Sequence, residues 1–300
     1  MENKNQKQEP FDLESLQPNK IAEHERVKQQ FVMTLVKIHK MSESEADSVY
    51  EREQIYYKKA LMESDRLQKS TKLSLYSSFI EIAVTGLSIQ PGAKSEAYIE
   101  PRSAKAKDAN GNDAWISSAR LVITAYGELS LRIRAGQIVR MCNPQVIYAG
   151  DHFQPKTNDR GDLIVDYHPA IPRQSDEIIG CYVCLILPHN GRDFKWLLMD
   201  DVERLKNYSK PKTGTNPQPN ALYTSGVNKQ IDTGFLETKT IKHAMRTLTK
   251  LRVSNSVSFE DEDPEALQTP EPFAGQSNGA QPAQPQDTTV TVKLDENAPF

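Results

Sequence analysis

The chain has 300 residues and carries 37 lysine and arginine residues against 40 aspartate and glutamate residues, a net charge of −3 at pH 7. Its three cysteines are too few for a disulfide framework, its polar start is unlike a signal peptide, and no apolar run approaches the ~18 residues of a membrane span. These features exclude a disulfide-bonded secreted scaffold and a membrane-spanning helix, and they predict a soluble cytoplasmic protein.

Residues 1–69 are predicted to form an N-terminal region that is disordered to about residue 20 and helical after it. Apolar residues recur there at helical spacing, which predicts one buried helix face. They are Ile21, Val27, Phe31, Leu35 and Ile38. A second helix is predicted after Ser42, because a serine followed three residues later by Glu45 is the pattern of a capping box.

Residues 73–101 combine a predicted helix, a break and a short strand. The apolar residues of the helix fall at steps of three and four, which places them on one buried face. They are Leu73, Tyr76, Ile80, Ala83 and Leu87. Gly86 stands where the helix can end in a left-handed turn, and the extended segment after it ends at Pro101.

The middle of the chain mixes hairpins with helices. A strand over 115–125 is predicted to pair with the preceding one around Asn110-Gly111, and a second hairpin is predicted around His189-Asn190-Gly191. Strand-like runs are 137–142, 145–149, 163–167, 178–187 and 194–199, and helices are predicted over 126–135 and from Asp200. Because strands and helices do not alternate regularly, the predicted fold class is α+β.

The last part of the chain is predicted to contain a long mobile loop over 207–228 and a helix over 234–253. After Glu237 this helix contains no acid. Its basic residues are Lys239, Lys242, His243, Arg246 and Lys250, opposite an apolar face of Ile241, Ala244, Met245, Leu248 and Leu251. Such a basic row can follow a phosphate backbone, although an ordinary solvated face is the alternative.

Weaker candidates for nucleic-acid contact lie in two predicted loops and three aromatic residues. The loop cations are Arg102, Lys105 and Lys107, and separately Lys206, Lys210 and Lys212. The aromatic residues are Tyr98, Trp115 and Tyr126, which either stack on bases or belong to the core.

Other kinds of chemistry have little support in the sequence. No G-x-x-x-x-G-K-[ST] loop is present, so any manipulation of DNA is predicted to proceed without ATP hydrolysis. Asp151, His152, Asp166 and His168 could be metal ligands, as a nuclease would need, or turn residues that fix the backbone. Cys181 and Cys184 point to opposite faces of a predicted strand, which indicates buried thiols rather than a metal or redox pair.

Five short motifs, in order within residues 70–253, resemble the RecT family of phage single-strand annealing proteins. They are GLSIQP with AYIEP (86–91 and 97–101), AYGELSLRIRAG (125–136), VIYAGDHF with DYHP (146–153 and 166–169), GCYV (180–183) and TKTIKHAMR (238–246) with Lys250. The chain resembles a divergent member. Gly127-Glu128 replaces the family's lysine, His243-Ala244 replaces its tandem arginines, and the tryptophan before the last helix is absent.

The resemblance implies a β-β-β-α annealing core over 70–253, with DNA contacts from Tyr126, Arg132 and Arg134 as well as from the last helix. It implies ATP-independent binding of single-stranded DNA and annealing of complementary strands in homologous recombination, without enzymatic catalysis. Such a protein would act as a ring or helical filament of identical subunits. A metal-dependent nuclease and a single-strand-binding protein that does not anneal are the alternatives.

The resemblance also implies the setting in which the protein works. It would be encoded by a phage or prophage, act in the bacterial cytoplasm, and work with a phage exonuclease and host repair proteins. The expected ligands are single-stranded DNA and the annealed duplex. No cofactor is expected, and Mg²⁺ would be present only through the DNA.

Residues 254–300 are predicted to be a disordered acidic tail, because they are rich in proline, glutamine and acids. The tail has nine acids and one base, a charge of −8, which leaves +5 on the rest of the chain. Its end, KLDENAPF, resembles the acidic tip of bacterial single-stranded-DNA-binding proteins. Asp295, Glu296, Pro299 and Phe300 would then bind repair proteins; competition with DNA and simple solubilisation are the alternatives.

Overall fold

The structure, a computed structural model, describes residues 12–107, 113–159, 161–210, 218–251 and 257–259. For residues 104–107, 113, 114 and 258 it describes the backbone alone. All of these residues belong to one compact unit that extends from Met1 to Glu262. Helices and antiparallel sheets share this unit, so the predicted α+β class is confirmed.

The described residues form seven α-helices and nine strands. The helices are α1 (Glu25–His39), α2 (Glu43–Glu63), α3 (Asp65–Gln68), α4 (Lys72–Thr85), α5 (Ala125–Arg134), α6 (Met199–Tyr208) and α7 (Thr233–Met245). The strands are β1 (Ala97–Lys107), β2 (Asp113–Ile123), β3 (Arg140–Met141), β4 (Gln145–Tyr148), β5 (His152–Thr157), β6 (Leu163–His168), β7 (Ile178–Ile186), β8 (Arg192–Leu198) and β9 (Ser258–Phe259). None of these helices is both long enough and apolar enough to cross a membrane.

The first core is built from α1, α2 and α4 packed against the β1–β2 hairpin. Phe31 stacks on Phe79 with ring centroids 4.8 Å apart, and the buried Tyr50 and Tyr57 rings complete an aromatic cluster. Large aromatic side chains bury much apolar surface, so this cluster is a main source of stability for the N-terminal half. The core is continuous from α1 to β2.

Two predicted helix faces differ from those observed. In α1, Val27, Phe31 and Leu35 are buried as predicted, but Ile38 is 53% exposed. After the start of α4, Ala83 and Leu87 are buried as predicted and Tyr76 and Ile80 pack half-buried against the first core. Leu73 is 62% exposed, however, and the buried face also includes Leu75, Ser78, Phe79 and Ile82, which were not predicted. Helical spacing fits both sets because α4 has apolar residues on nearly all sides, so periodicity alone could not choose between them.

The predicted start of α2 and the predicted end of α4 are confirmed. Ser42 and Glu45 form the capping box of α2, with each side chain bonded to the other residue's backbone amide. Gly86 has φ 63° and ends α4, where its N–H donates to the carbonyl of Ile82 at 2.8 Å.

The N-terminal turns are a correction to the predicted disorder. Residues 13–15 and 18–20 form two short 3-10 turns, and Leu13 and Leu16 pack against the first core. Apolar contacts therefore order a segment whose composition is mostly polar.

The first hairpin is confirmed, with eleven residue pairs between β1 and β2. The strand does not end at Pro101, as predicted, but continues to Lys107, so residues 102–107 are paired strand rather than loop. Ser258 and Phe259 of β9 then pair in parallel with Val122 and Ile123 of β2. Val257 is buried in the first core. A paired strand therefore lies inside the segment predicted to be the tail.

The second sheet is centred on β7, which pairs antiparallel with β3 and β4 and, in the second predicted hairpin, with β8. One core beside this sheet contains residues of α5, β7 and α7. Another contains Cys181, Val202 of α6 and Leu236 of α7. Helix α7 is therefore a shared wall of both cores.

The sequence did not predict β5, which pairs with β6 from His152 opposite His168 to Thr157 opposite Leu163. Most of its residues are exposed and it contains Pro155, so it lacks the alternating apolar pattern of a half-buried strand. The predicted loop over 207–228 is also more ordered than expected in its described part, because Tyr223 is buried within one 3-10 turn, 221–223, and a second turn follows at 227–229.

Candidate nucleic-acid interface

Helix α7 carries most of the predicted basic residues, and its sequence fixes its orientation. Asp232 caps its first turn, accepting a hydrogen bond from the amide of Phe235 at 2.9 Å. Leu236, Ile241 and Met245 are buried against the second sheet and α5. The remaining side of the helix carries the cationic side chains.

The predicted basic row is shorter than expected, because α7 ends at Met245 rather than near residue 253. Arg246 is the C-cap residue, and Lys250 lies in the segment after the helix. Threonine has a low helix propensity, and the chain has one at both 247 and 249. The carbonyl of Thr249 also accepts a hydrogen bond from Arg132 of α5.

The five cations of the row differ in exposure. Lys239 is half-buried with its ammonium 5.0 Å from the ring centroid of Phe235. His243 is half-buried, and the ammonium nitrogen of Lys242 is buried. Arg246 and Lys250 are exposed. The side chains best placed to reach a phosphate backbone are therefore those of Arg246 and Lys250.

Arg132, predicted to contact DNA, is instead buried in a network that joins α5 to the segment after α7. Its guanidinium pairs with Glu128 at 2.5 Å, with both side chains at most 10% exposed. It also donates to the side chain of Gln137 at 2.7 Å and to the carbonyl of Thr249 at 2.9 Å. Gln137 donates to the Thr249 hydroxyl at 2.8 Å. The network thus holds the backbone next to Lys250 against α5.

Arg134 is exposed, and its guanidinium donates to the carbonyl of Thr85 at 2.9 Å. The imidazole Nε2 of His39 lies 2.9 Å from the carbonyl of Ala83 in the same turn. These contacts satisfy two of the carbonyls that the end of α4 leaves without helical partners. A cation there is also favoured by the helix dipole. Arg134 therefore has a structural contact at the end of α4 in addition to any contact with DNA.

Tyr126 is half-buried at the start of α5, with the ammonium of Lys94 5.9 Å from its ring centroid. Burial, together with the nearby carboxylate of Glu237, raises the pKa of Tyr126. Burial likewise raises the pKa of Glu237, although Lys94 acts in the opposite direction. Lys94, Tyr126 and Glu237 thus lie near one another, and they connect the segment before β1, α5 and α7.

The other residues predicted to contact DNA or partner proteins lie apart from α7 or outside the residues that the structure describes. Lys210 is exposed and donates to Asn207 at 3.0 Å, and Arg102 pairs with Glu100 at 2.6 Å. Lys105 and Lys107 lie in β1, but their side chains are outside the described residues. Lys212, and Asp295, Glu296, Pro299 and Phe300 of the tail, lie wholly outside the described residues.

The residues considered as metal ligands make structural contacts. The Asp151 carboxylate accepts hydrogen bonds from the amides of Tyr148 and Ala170, each at 2.9 Å. Asp166 pairs with Lys156 at 2.7 Å across the β5–β6 hairpin and with His168, on its own strand, at 3.0 Å. Within the part of the chain that the structure describes, no group of three or more His, Cys, Asp or Glu side chains could hold a metal ion.

A groove of about 520 Å³ lies beside the first turns of α7, between Thr233 and Glu237 of the helix and the β4–β6 region. On its wall, the guanidinium of Arg173 lies 3.8 Å from the ring centroid of Tyr148. Ile171, next to it, is 88% exposed. This groove has no signal in the sequence, because Arg173 lies in a loop and reaches Tyr148 only through the tertiary fold.

A comparison of the sequence with protein-family models and with curated proteins finds no match. A function for this protein is therefore proposed from its residues and their contacts.

Proposed function

We propose that this protein binds single-stranded DNA and anneals complementary strands without ATP, acting as an oligomer. The order of the RecT-like motifs supports this proposal. The motifs lie on the connection from the end of α4 into β1, on α5, on β4 to β6, on β7 and on α7. The last helix packs against both α5 and β7, so the motifs belong to neighbouring elements rather than to scattered loops.

The observation that carries the proposal is the exposed pair of cations after the last helix. From Thr238 to Leu251 the chain has four lysine or arginine residues and no acid. Arg246 and Lys250 are exposed, and the backbone between them is fixed through Thr249. Cations held in place bind phosphate at a smaller entropic cost than mobile ones, and binding releases counter-ions from the DNA.

The groove at the opposite end of α7 supports contact with bases. A planar guanidinium stacked on an aromatic ring, beside an exposed isoleucine, offers a surface on which a base can stack. Helix α7 has 13 residues and is therefore roughly 20 Å long. A strand that followed the helix would reach from the Arg173 groove to Arg246, with its phosphates bound and its bases free to pair.

Annealing also requires that many weak contacts act together along two strands. Identical subunits on one strand provide this, because each bound subunit raises the effective concentration of the next contact. Within the described residues β1 pairs only with β2, so its other edge is open to a neighbouring chain. We therefore include oligomerisation in the proposal.

The binding part of the proposal is tested with the double variant Arg246→Ala/Lys250→Ala. We expect weaker binding to single strands of every sequence, and a salt dependence reduced by about two units in log–log slope, one for each lost phosphate contact. The matched control is Lys59→Ala, which removes a 57% exposed charge from α2.

A double variant that keeps the parent slope while remaining folded would contradict the assignment of phosphate contact to these residues. The alternative function is a metal-dependent nuclease. Measuring the length of the DNA after incubation with Mg²⁺ distinguishes the two, because a nuclease would shorten the strands and an annealing protein would not.

A further inference from the structure

Two of the three cysteines are brought opposite each other by the second sheet. Cys142 follows β3 directly, and Cys184 lies in β7. The register pairs Arg140 with Ile186 and Met141 with Leu185, and its next step places Cys142 opposite Cys184. The amide of Cys142 donates to the carbonyl of Cys184 at 2.9 Å, so the backbones are joined at this point.

Because the two residues lie directly opposite each other, their side chains project from the same face of the sheet. Residues directly opposite on antiparallel strands have Cα atoms about 4.5–5.5 Å apart. A disulfide needs a Cα separation of about 4.4–6.8 Å. The backbone geometry of the pair is thus compatible with a covalent bond.

The third cysteine is excluded from this pairing by its direction. Cys181 lies on β7 three residues before Cys184 and is fully buried against another core. Its thiol lies 3.9 Å from the carbonyl oxygen of Tyr182. Residues three apart on a strand point to opposite faces of the sheet.

The two paired thiols differ in access. Cys142 is half-buried, and a guanidinium nitrogen of Arg140 lies 3.8 Å from its sulfur. Cys184 is buried, and burial raises the pKa of its thiol to about 11. The geometry therefore makes Cys142 the attacking thiol and Cys184 the resolving one.

We propose that Cys142 and Cys184 form a reversible intramolecular disulfide by exchange with a small-molecule disulfide. The Cys142 thiolate attacks one sulfur of the small disulfide and releases one small thiol, which leaves a mixed disulfide on Cys142. The Cys184 thiolate then attacks the Cys142 sulfur and releases the second small thiol. The two protein thiols lose two protons and two electrons, and the small disulfide gains them. This site is independent of the proposed function.

The bond would fasten the connection between α5 and β4 to the central strand of the second sheet. Ile138 and Met141, in that connection, pack in the same core as Ile241 and Met245 of α7. Oxidation would therefore restrain the connection that packs beneath the last helix.

The test incubates the folded, full-length protein with oxidised glutathione, blocks free thiols, and maps the peptides by mass spectrometry. We expect a Cys142–Cys184 linked peptide, Cys181 still reduced, and full reversal by a dithiol reductant. Cys181→Ser should oxidise like the parent, and Cys142→Ser should form no intramolecular disulfide. Cys142 is half-buried, so Cys142→Ser is expected to fold and tests the proposal even if the buried Cys184→Ser does not fold.

Three results would overturn the proposal. One is a glutathione adduct that persists on Cys142 without resolution. Another is a linkage that includes Cys181 or joins two chains. The third is a Cys142–Cys184 bond that the reductant cannot reverse.

Discussion

Single side chains decide how the elements of this protein meet. Gly127, in the first turn of α5, lets the backbone of Glu96 approach: a Cβ atom there would lie 2.0 Å from the Glu96 carbonyl oxygen. The same carbonyl accepts a hydrogen bond from the amide of Thr124 at 3.0 Å. Moving Glu96 away from Gly127 would therefore break this hydrogen bond. Gly127 is therefore a packing residue between α5 and the segment before β1.

Gly127→Ala is expected to destabilise the fold by about 1–3 kcal/mol or more, because the new methyl group meets backbone rather than a flexible side chain. Urea unfolding measures the change. Gly234→Ala is the matched control, since its Cβ would meet nothing closer than 3.4 Å within α7. Equal stability of the two variants would show that the Glu96 contact is not tight.

Asp151 is a second such residue, at the groove beside α7. Partial burial acts to raise the pKa of its carboxyl, but the amides of Tyr148 and Ala170 and the Tyr167 hydroxyl outweigh it and hold the pKa below its ordinary value of 3.8. The charged form is thus favoured in the fold, and its stabilising effect is lost as the pH falls through the lowered pKa.

Asp151→Asn should therefore cost about 1–2 kcal/mol at neutral pH, since the carboxylate is partly solvated. The difference from the parent should shrink below about pH 3.8, as measured by urea unfolding across the acid range. Asp176→Asn, which removes an exposed carboxylate 3.6 Å from Arg173, is the control. A difference that stays constant with pH would contradict the assigned role of the charge.

At the scale of elements, Arg132 joins α5 to the segment that follows α7. Arg132→Ala should destabilise the protein by about 3–5 kcal/mol, because it leaves the Glu128 carboxylate buried without a cation. Arg132→Met combined with Glu128→Gln should cost less, since no buried charge remains. Arg134→Ala, which loses one hydrogen bond to a carbonyl, should cost about 1 kcal/mol.

Chemical denaturation of these variants gives the free energies of unfolding. A loss of stability in Arg132→Ala no larger than that in Arg134→Ala would show that the buried pair does not hold α5 to this segment.

The sequence predicted elements wherever the signal is local. Turn residues marked both hairpins, and Ser42, Glu45 and Gly86 marked helix ends, because caps and turns depend on the chain within a few residues. The buried face of α4 was only partly predictable, because its apolar residues surround the helix and the neighbouring elements decide which of them are covered.

The candidate site was less predictable than the fold for the same reason. The basic composition after Glu237 could be read from the sequence, but the end of α7 and the burial of Arg132 depend on a contact between residues 132 and 249. The Tyr148–Arg173 stack likewise joins residues from separate segments. Neither contact leaves a periodic or local pattern in the chain.

At the scale of the whole molecule, charge is divided between the body and the acidic tail. Residues 263–300 carry six acids and one base, and deleting them leaves β9 intact. We expect the deletion to tighten single-strand binding at low salt, because the tail's carboxylates compete with DNA phosphates for cations, and the gain should vanish at high salt.

Phe300→Ala is the control for the deletion, because it keeps every charge and should leave DNA affinity unchanged. Fluorescence anisotropy with a labelled oligonucleotide measures both variants across a salt series. Identical affinities of the deleted and full-length proteins at every salt concentration would rule out competition by the tail.

The central claim is that the protein anneals DNA through cations held after α7, and strand pairing tests it most directly. The rate at which two complementary oligonucleotides form a duplex is measured without nucleotide and with ATP, for the parent, Arg246→Ala/Lys250→Ala and Lys59→Ala. We predict that the parent and Lys59→Ala accelerate pairing equally with and without ATP, and that the double variant accelerates it much less. An ATP requirement, parent rates no faster than protein-free DNA, or a folded double variant as fast as the parent would contradict the claim.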